Sequence, residues 1–178
     1  MPKITEEQAY NGAMARVARL GLTPLMNEVR EMLTGFNLLV KEKKDANGGA
    51  AVRALIDKRF EETEGWQKKQ TGGVDWTRCH VVNGTKVCLG VEVQFSARSD
   101  LLVIDVAHLR KSITEGIIDV GIILVPDDAF GRFLTDRGPR MSDAKRHVRE
   151  ARAEDLPLVL IAVAHDGPGE ALAKRSRK

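Results

Sequence analysis

Three strand-length apolar runs, at 86–95, 117–125 and 156–163, alternate with two segments of helical periodicity, and this alternation constrains the fold more than any other feature. In the first run Val87, Leu89, Val91, Val93 and Phe95 fall on every second position, the period of a sheet segment. Ser99 is placed to cap a helix carrying Leu102, Val106, Leu109 and Ile113, which Gly116 ends. A polar helix is expected over 142–153. Upstream, Asn83-Gly84 is a strong hairpin signal between a strand near 74–78 and the 86–95 run.

Before residue 65 the pattern is helical. The spacing predicts a helix over 5–20, with Thr5 as its cap and Ala9, Ala13, Val17 and Leu20 on one stripe. A second begins at Thr23-Pro24 and turns Leu25, Val29, Met32 and Leu33 inward. A third carries Val52, Leu55, Ile56 and Phe60. The segment 41–49 is a charged, flexible loop, 130–134 a short helical turn, and 164–178 has little to fold with. The expected fold is α/β, a central mixed sheet flanked by helices on both faces. At 178 residues we expect one domain: a helical N-terminal region over 1–65, a sheet with its helices at 72–165, and a basic tail 170–178.

The formal net charge is +3, but Lys174, Arg175, Arg177 and Lys178 supply more than that, and the chain before Ala171 sums to about −1. Charge alone therefore does not mark a nucleic-acid protein. Cys79 and Cys88 form no Cys-x-x-Cys pair, which argues against structural zinc, and both are expected as free thiols in an intracellular protein. The first twenty residues lack the apolar core of a signal peptide, and no run is long enough to span a membrane. A soluble cytoplasmic protein is expected.

The second phase of the 86–95 strand holds a carboxylate and an amide side by side, Glu92 and Gln94, flanking Val93. The hairpin would bring Asp75 within range of Glu92. Two carboxylates and the Val93 carbonyl make an all-oxygen nest suited to Mg²⁺, which polarises a phosphoryl oxygen and acidifies a water. Read from residue chemistry alone, a second account stands beside it: Glu92 faces solvent at a half-covered edge and Asp75 caps a turn.

The string VDW…GVEVQF, a following helix and then IIDVGIILVPDD resemble the type II restriction endonucleases of the BglII/BstYI/BamHI-like group, within the PD-(D/E)XK nuclease superfamily. Gly65-Trp66 upstream and the IDVG string at 118–121 add to the resemblance, which covers about 52–128 and more loosely 156–163. It implies a restriction-endonuclease-like core in which Asp75 is the leading acid. Glu92-Val93-Gln94 matches the BglII-like variant, with glutamine in place of the usual lysine. By the same resemblance Asp75 and Glu92 bind Mg²⁺ with the Val93 carbonyl, and Gln94 positions the attacking water. The implied activity is Mg²⁺-dependent hydrolysis of double-stranded DNA at a short palindrome, leaving 5′-phosphate ends. The implied setting is a prokaryotic cytoplasm, with a homodimer and a cognate DNA methyltransferase acting on the same site. Two other readings are a PD-(D/E)XK DNA nuclease without palindromic specificity and a catalytically inactive DNA-binding homologue.

Candidate DNA contacts follow from position. Ser96, Arg98 and Ser99 directly follow the catalytic strand, where scissile phosphates draw arginine and small polar groups. Base readout is expected from 41–47 and 133–146, the latter with Arg137, Arg140, Lys145 and Arg146. The dimer helix is expected at 101–115. Glu28 or Glu31 could reach the site as an extra carboxylate, but a solvated helix face is the expected place for both; Asp119 is expected in a structural role and Trp76 in the core. His80, His108, His147 and His165 lack metal-ligand spacing to one another.

Overall fold

The computed structural model describes residues 2–68, 73–96, 98–135 and 138–174, with Ser99 described by its main chain alone. The chain opens with β1 (Lys3–Ala9), α1 (Ala13–Arg19) and α2 (Thr23–Thr34), followed by β2 (Leu39–Val40), α3 (Gly49–Glu62) and β3 (Gln67–Lys68). The hairpin β4 (Trp76–Val82) and β5 (Thr85–Val93) comes next, then α4 (Leu102–Thr114), β6 (Val120–Pro126), α5 (Met141–Glu150), β7 (Leu158–Ala164) and β8 (Gly167–Pro168). The main sheet has six strands in the order β1-β7-β6-β5-β4-β3. Its centre, β5-β6-β7, is parallel, while β4, β3 and β1 run antiparallel to their neighbours. This is the mixed sheet that the alternating periodicities predict.

The pleat separates two cores. Leu89, Val91, Val93, Ile122, Leu124 and Ile161 face one side and are buried against α1, α2 and α3. Cys88, Ile123, Val125, Leu158 and Leu160 face the other, where Leu102, Val106 and Leu109 of α4 and Ala144 and Val148 of α5 cover them. Parallel neighbours need crossover connections, and α4 and α5 supply them on that second face. Glu92 and Gln94 belong to this α4 side by register.

The helix expected over 5–20 is corrected in its first half. Residues of β1 alternate exposed and partly buried, and the strand pairs antiparallel along β7 from Lys3 to Ala9. Helix propensities of Glu and Gln differ from strand formers by only tenths of a kcal/mol, less than a row of ladder bonds along an open edge supplies. Asn11 and Gly12 then take left-handed φ of 45° and 63°, which turns the chain before α1 begins. Ala13 and Val17 of the expected stripe are buried, whereas Ala9 is exposed.

Two further expectations change. Asn83 and Gly84 have φ of 50° and 80°, the left-handed pair that a two-residue hairpin turn requires. That turn sets Cys79 opposite Cys88 with Cα atoms 4.0 Å apart, and the two form a disulfide rather than free thiols. The segment after β7 is also better anchored than its composition suggests. β8 pairs with β2, Leu172 packs on the core, and the Leu172 amide donates to Asn47 Oδ1 at 3.2 Å. The last four residues, 175–178, lie outside the described ones, and with them three of the four basic residues of the expected tail.

Candidate active site

Glu92 is the most deeply buried carboxylate described, with 1 % of its surface exposed, and Gln94 beside it has 4 %. The solvent-facing account of this strand therefore fails. A buried carboxylate must be compensated by donors or cations. Glu92 Oε2 accepts the Asp75 amide at 3.3 Å, and Glu92 Oε1 lies 3.3 Å from His108 Nδ1 on α4. Gln94 is held by its main chain, whose N–H donates to the Leu124 carbonyl at 2.9 Å.

Asp75 sits just before β4, directly across from the end of β5. Its Oδ2 accepts the Val93 amide at 3.0 Å. In a strand a residue's N–H and C=O leave from the same edge, so the Val93 carbonyl also belongs to the Asp75 side. Arg53 of α3 lies against the same oxygen, with Nη2 2.7 Å from Asp75 Oδ2. Its Nε is 3.4 Å from Asp57 Oδ2, and Asp57 Oδ1 accepts Trp76 Nε1 at 2.9 Å. Burial works against the Arg53 charge, yet Asp75 and Asp57 outweigh it and hold the guanidinium above the ordinary arginine range. Trp76, 2 % exposed, stacks on Phe60 at 5.4 Å and locks this corner as the expected core residue. Asp75, Glu92 and the Val93 carbonyl are hard oxygen donors grouped at the end of β5. The set fits a divalent cation of the Mg²⁺ class.

Other expected residues are placed as follows. Asp119 is structural, accepting the Cys88 amide at 2.8 Å. Glu28 is paired with Arg78 and accepts Trp66 Nε1 at 3.2 Å, so it serves packing rather than the acid cluster. Arg98 is exposed and forks onto Asp100 at 2.8 and 3.1 Å, while Ser96 is partly buried. Lys145 is paired with Glu6 of β1, and Arg146 lies 3.1 Å from Asp143. β1 is three strands from β5 in the sheet, roughly 14 Å away, so Lys145 is drawn away from Glu92. Arg137 and the Ser99 side chain lie outside the described residues.

The two expected readout segments, 41–47 and 133–146, meet. Asn47, fully buried, donates its amide to the Phe133 carbonyl at 3.0 Å and accepts the Thr135 amide at 2.8 Å. Lys44, Asp45, Arg132, Phe133 and Arg140 line a groove of about 370 Å³, and Lys41, Lys43 and Lys174 line a second cavity that shares Lys44 and Asp45 with it. The loop closes on the catalytic strand because Gly49 lacks a side chain: a Cβ there would lie 2.0 Å from the Phe95 carbonyl oxygen. A basic platform therefore flanks the carboxyl end of β5.

Sequence reasoning missed Arg53 and Asp105. Asp105 and His108, three residues apart on α4, come together with Glu92 in the one described group of three or more acidic, histidine or cysteine side chains whose spacing suits a metal. The readable signal was the Asp-x-x-His spacing on the helix after the strand, hidden because the histidines were compared only with each other.

Sheet, hairpin and buried acid–x–amide strand together define a restriction-endonuclease fold. A crystal structure of the restriction endonuclease BglII complexed with a DNA 16-mer matches it with a TM-score of 0.61, covering 92 % of this chain and 78 % of that one at 15 % identity. The family model for restriction endonuclease BglII/BglIII matches residues 6–163, and the chain belongs to that family of type II site-specific deoxyribonucleases. No curated protein matches it.

Replacing Arg53 by Met leaves Asp75 and Asp57 without their shared cation. Urea unfolding at neutral pH should show a loss of about 1–3 kcal/mol. An unchanged midpoint would mean that the pairing contributes nothing to the site's architecture.

Proposed function

We propose that the chain hydrolyses double-stranded DNA at a short palindrome in a Mg²⁺-dependent reaction, as a homodimer whose 1–178 segment is a single nuclease unit. The observation that carries this reading is the burial of Glu92 beside Gln94 with Asp75 across the hairpin. Asp75, Glu92 and the Val93 carbonyl would hold the cation. Mg²⁺ bound there supplies Lewis-acid polarisation of the scissile phosphate and a more acidic water.

The chain's own groups do the rest. Gln94 orients the attacking water through its amide, and it takes no proton, because an amide does not titrate near neutrality. The water oxygen bonds to phosphorus, the bond to O3′ breaks, and the products are a 5′-phosphate and a 3′-hydroxyl. The attacking water's proton passes to a substrate phosphate or to bulk water, and the departing O3′ takes a proton from bulk water. The platform of Lys41, Lys44, Arg132 and Arg140 lies where flanking duplex would approach the end of β5, with Ser96, Arg98 and Ser99 nearest the scissile phosphate. Lys145 and Arg146 add cations on α5, and Arg137, which lies outside the described residues, remains a candidate contact from the sequence alone. A cognate methyltransferase would protect host copies of the site.

Incubation with Mg²⁺ and a long natural DNA should give discrete fragments. Asp75→Asn and Glu92→Gln should each lower the cleavage rate at least about 100-fold, while DNA binding persists. A smear would replace palindromic cutting with non-specific cleavage, and binding with no cut in the unaltered protein would sink the catalytic reading.

The dimer reading draws on α4 and its flanks. Leu101, Val103, Ile104 and Ile117 are apolar and 40–53 % exposed. Single exposed apolar residues are ordinary, but a group on one helix and its ends suits a two-fold contact. Ile104→Lys should shift sedimentation from dimer to monomer. A monomeric unaltered protein, or a variant that still dimerises, contradicts this interface.

A further inference from the structure

Glu92 faces two ways. Its Oε2 is turned to Asp75, whereas Oε1 is turned to α4 and His108. Asp105 and His108, spaced three apart, stand on one face of that helix. The ligand-capable atoms of Glu92, Asp105 and His108 lie within 4.8 Å of one another. Two ligands at right angles on one cation, with bonds near 2.1 Å, are about 3.0 Å apart. The 3.3 Å between Glu92 Oε1 and His108 Nδ1 is already close to that spacing, and an Asp105 oxygen lies within 4.8 Å of both.

We propose that Glu92, Asp105 and His108 form a second divalent-cation position, sharing Glu92 with the active site and selecting a transition metal over Mg²⁺. The selectivity follows from the donors. Asp75, Glu92 and Val93 offer oxygen alone, but the α4 set adds an imidazole nitrogen, which favours Co²⁺ or Zn²⁺. Asp105 and His108 are partly buried at the surface of α4, so the position is reachable from solvent. A cation there ties α4, which carries the exposed apolar group, to the strand that carries Glu92 and Gln94. This inference rests on the active-site reading only through Glu92.

The test uses the full chain with Co²⁺ alone and no DNA. The unaltered protein should develop the visible absorption of nitrogen- and oxygen-ligated Co²⁺, and its melting temperature should rise more with Co²⁺ than with Mg²⁺. His108→Gln and Asp105→Asn should each weaken Co²⁺ binding at least about tenfold. Asp105→Asn preserves the side chain's shape, so it keeps the test open if His108→Gln folds poorly. Asp75→Asn should remove cleavage and leave the cobalt spectrum in place. No protein-bound cobalt spectrum, one that survives both α4 substitutions, or one lost with Asp75→Asn would overturn the second position. Cobalt held by a protein that cuts no DNA would support this position and overturn the active-site reading instead.

Discussion

The rest of the site depends on one buried charge. Glu92 projects from a central strand into the face covered by α4, where water is excluded and an isolated carboxylate is costly. Everything around it answers that cost. The hairpin delivers the Asp75 amide, and α4 delivers His108. Asp75 is in turn restrained from the opposite layer, where Arg53 and Trp76 fix the end of β4 through Asp57. The two acids are thus held by different cores, one on each face of the sheet. Both must pack before the pair exists.

The basic surface arises from a different constraint. A fully buried Asn47 joins the 41–48 loop to the turn after β6 and to the segment that follows β8, using both its amide and its carbonyl. Without that hub the lysines and arginines would be scattered solvated charges. With it they form one basic patch beside the carboxyl end of β5, in a chain whose net charge is only +3. Local arrangement, rather than overall charge, concentrates the positive potential there.

How much of this was legible in the sequence depends on where each interaction is decided. β5, α4, β6 and β7 show their own periodicity, so their existence needed no partner. The Asp75, Glu92 and Gln94 set was readable because a strand puts alternate residues on one face and a two-residue turn fixes the register. The same turn places Cys79 and Cys88 equally far from its centre, so their pairing was also readable, and compartment reasoning obscured it. β1 is different: KITEEQA becomes a strand because β7 has an open edge to pair with, a fact absent from the local pattern. Arg53 was invisible for a related reason, since its contact with Asp75 exists only after α3 packs against the sheet.

The central claim is that Asp75, Glu92 and the Val93 carbonyl share one hard divalent cation at the end of β5. A crystal structure of the protein soaked with Mn²⁺ tests it most directly through the metal's anomalous signal. A peak is expected within bonding distance of all three groups, with Arg53 displaced from Asp75 Oδ2 or balanced by the new charge. Manganese confined to other sites, with Asp75 still held by Arg53 alone, would contradict it.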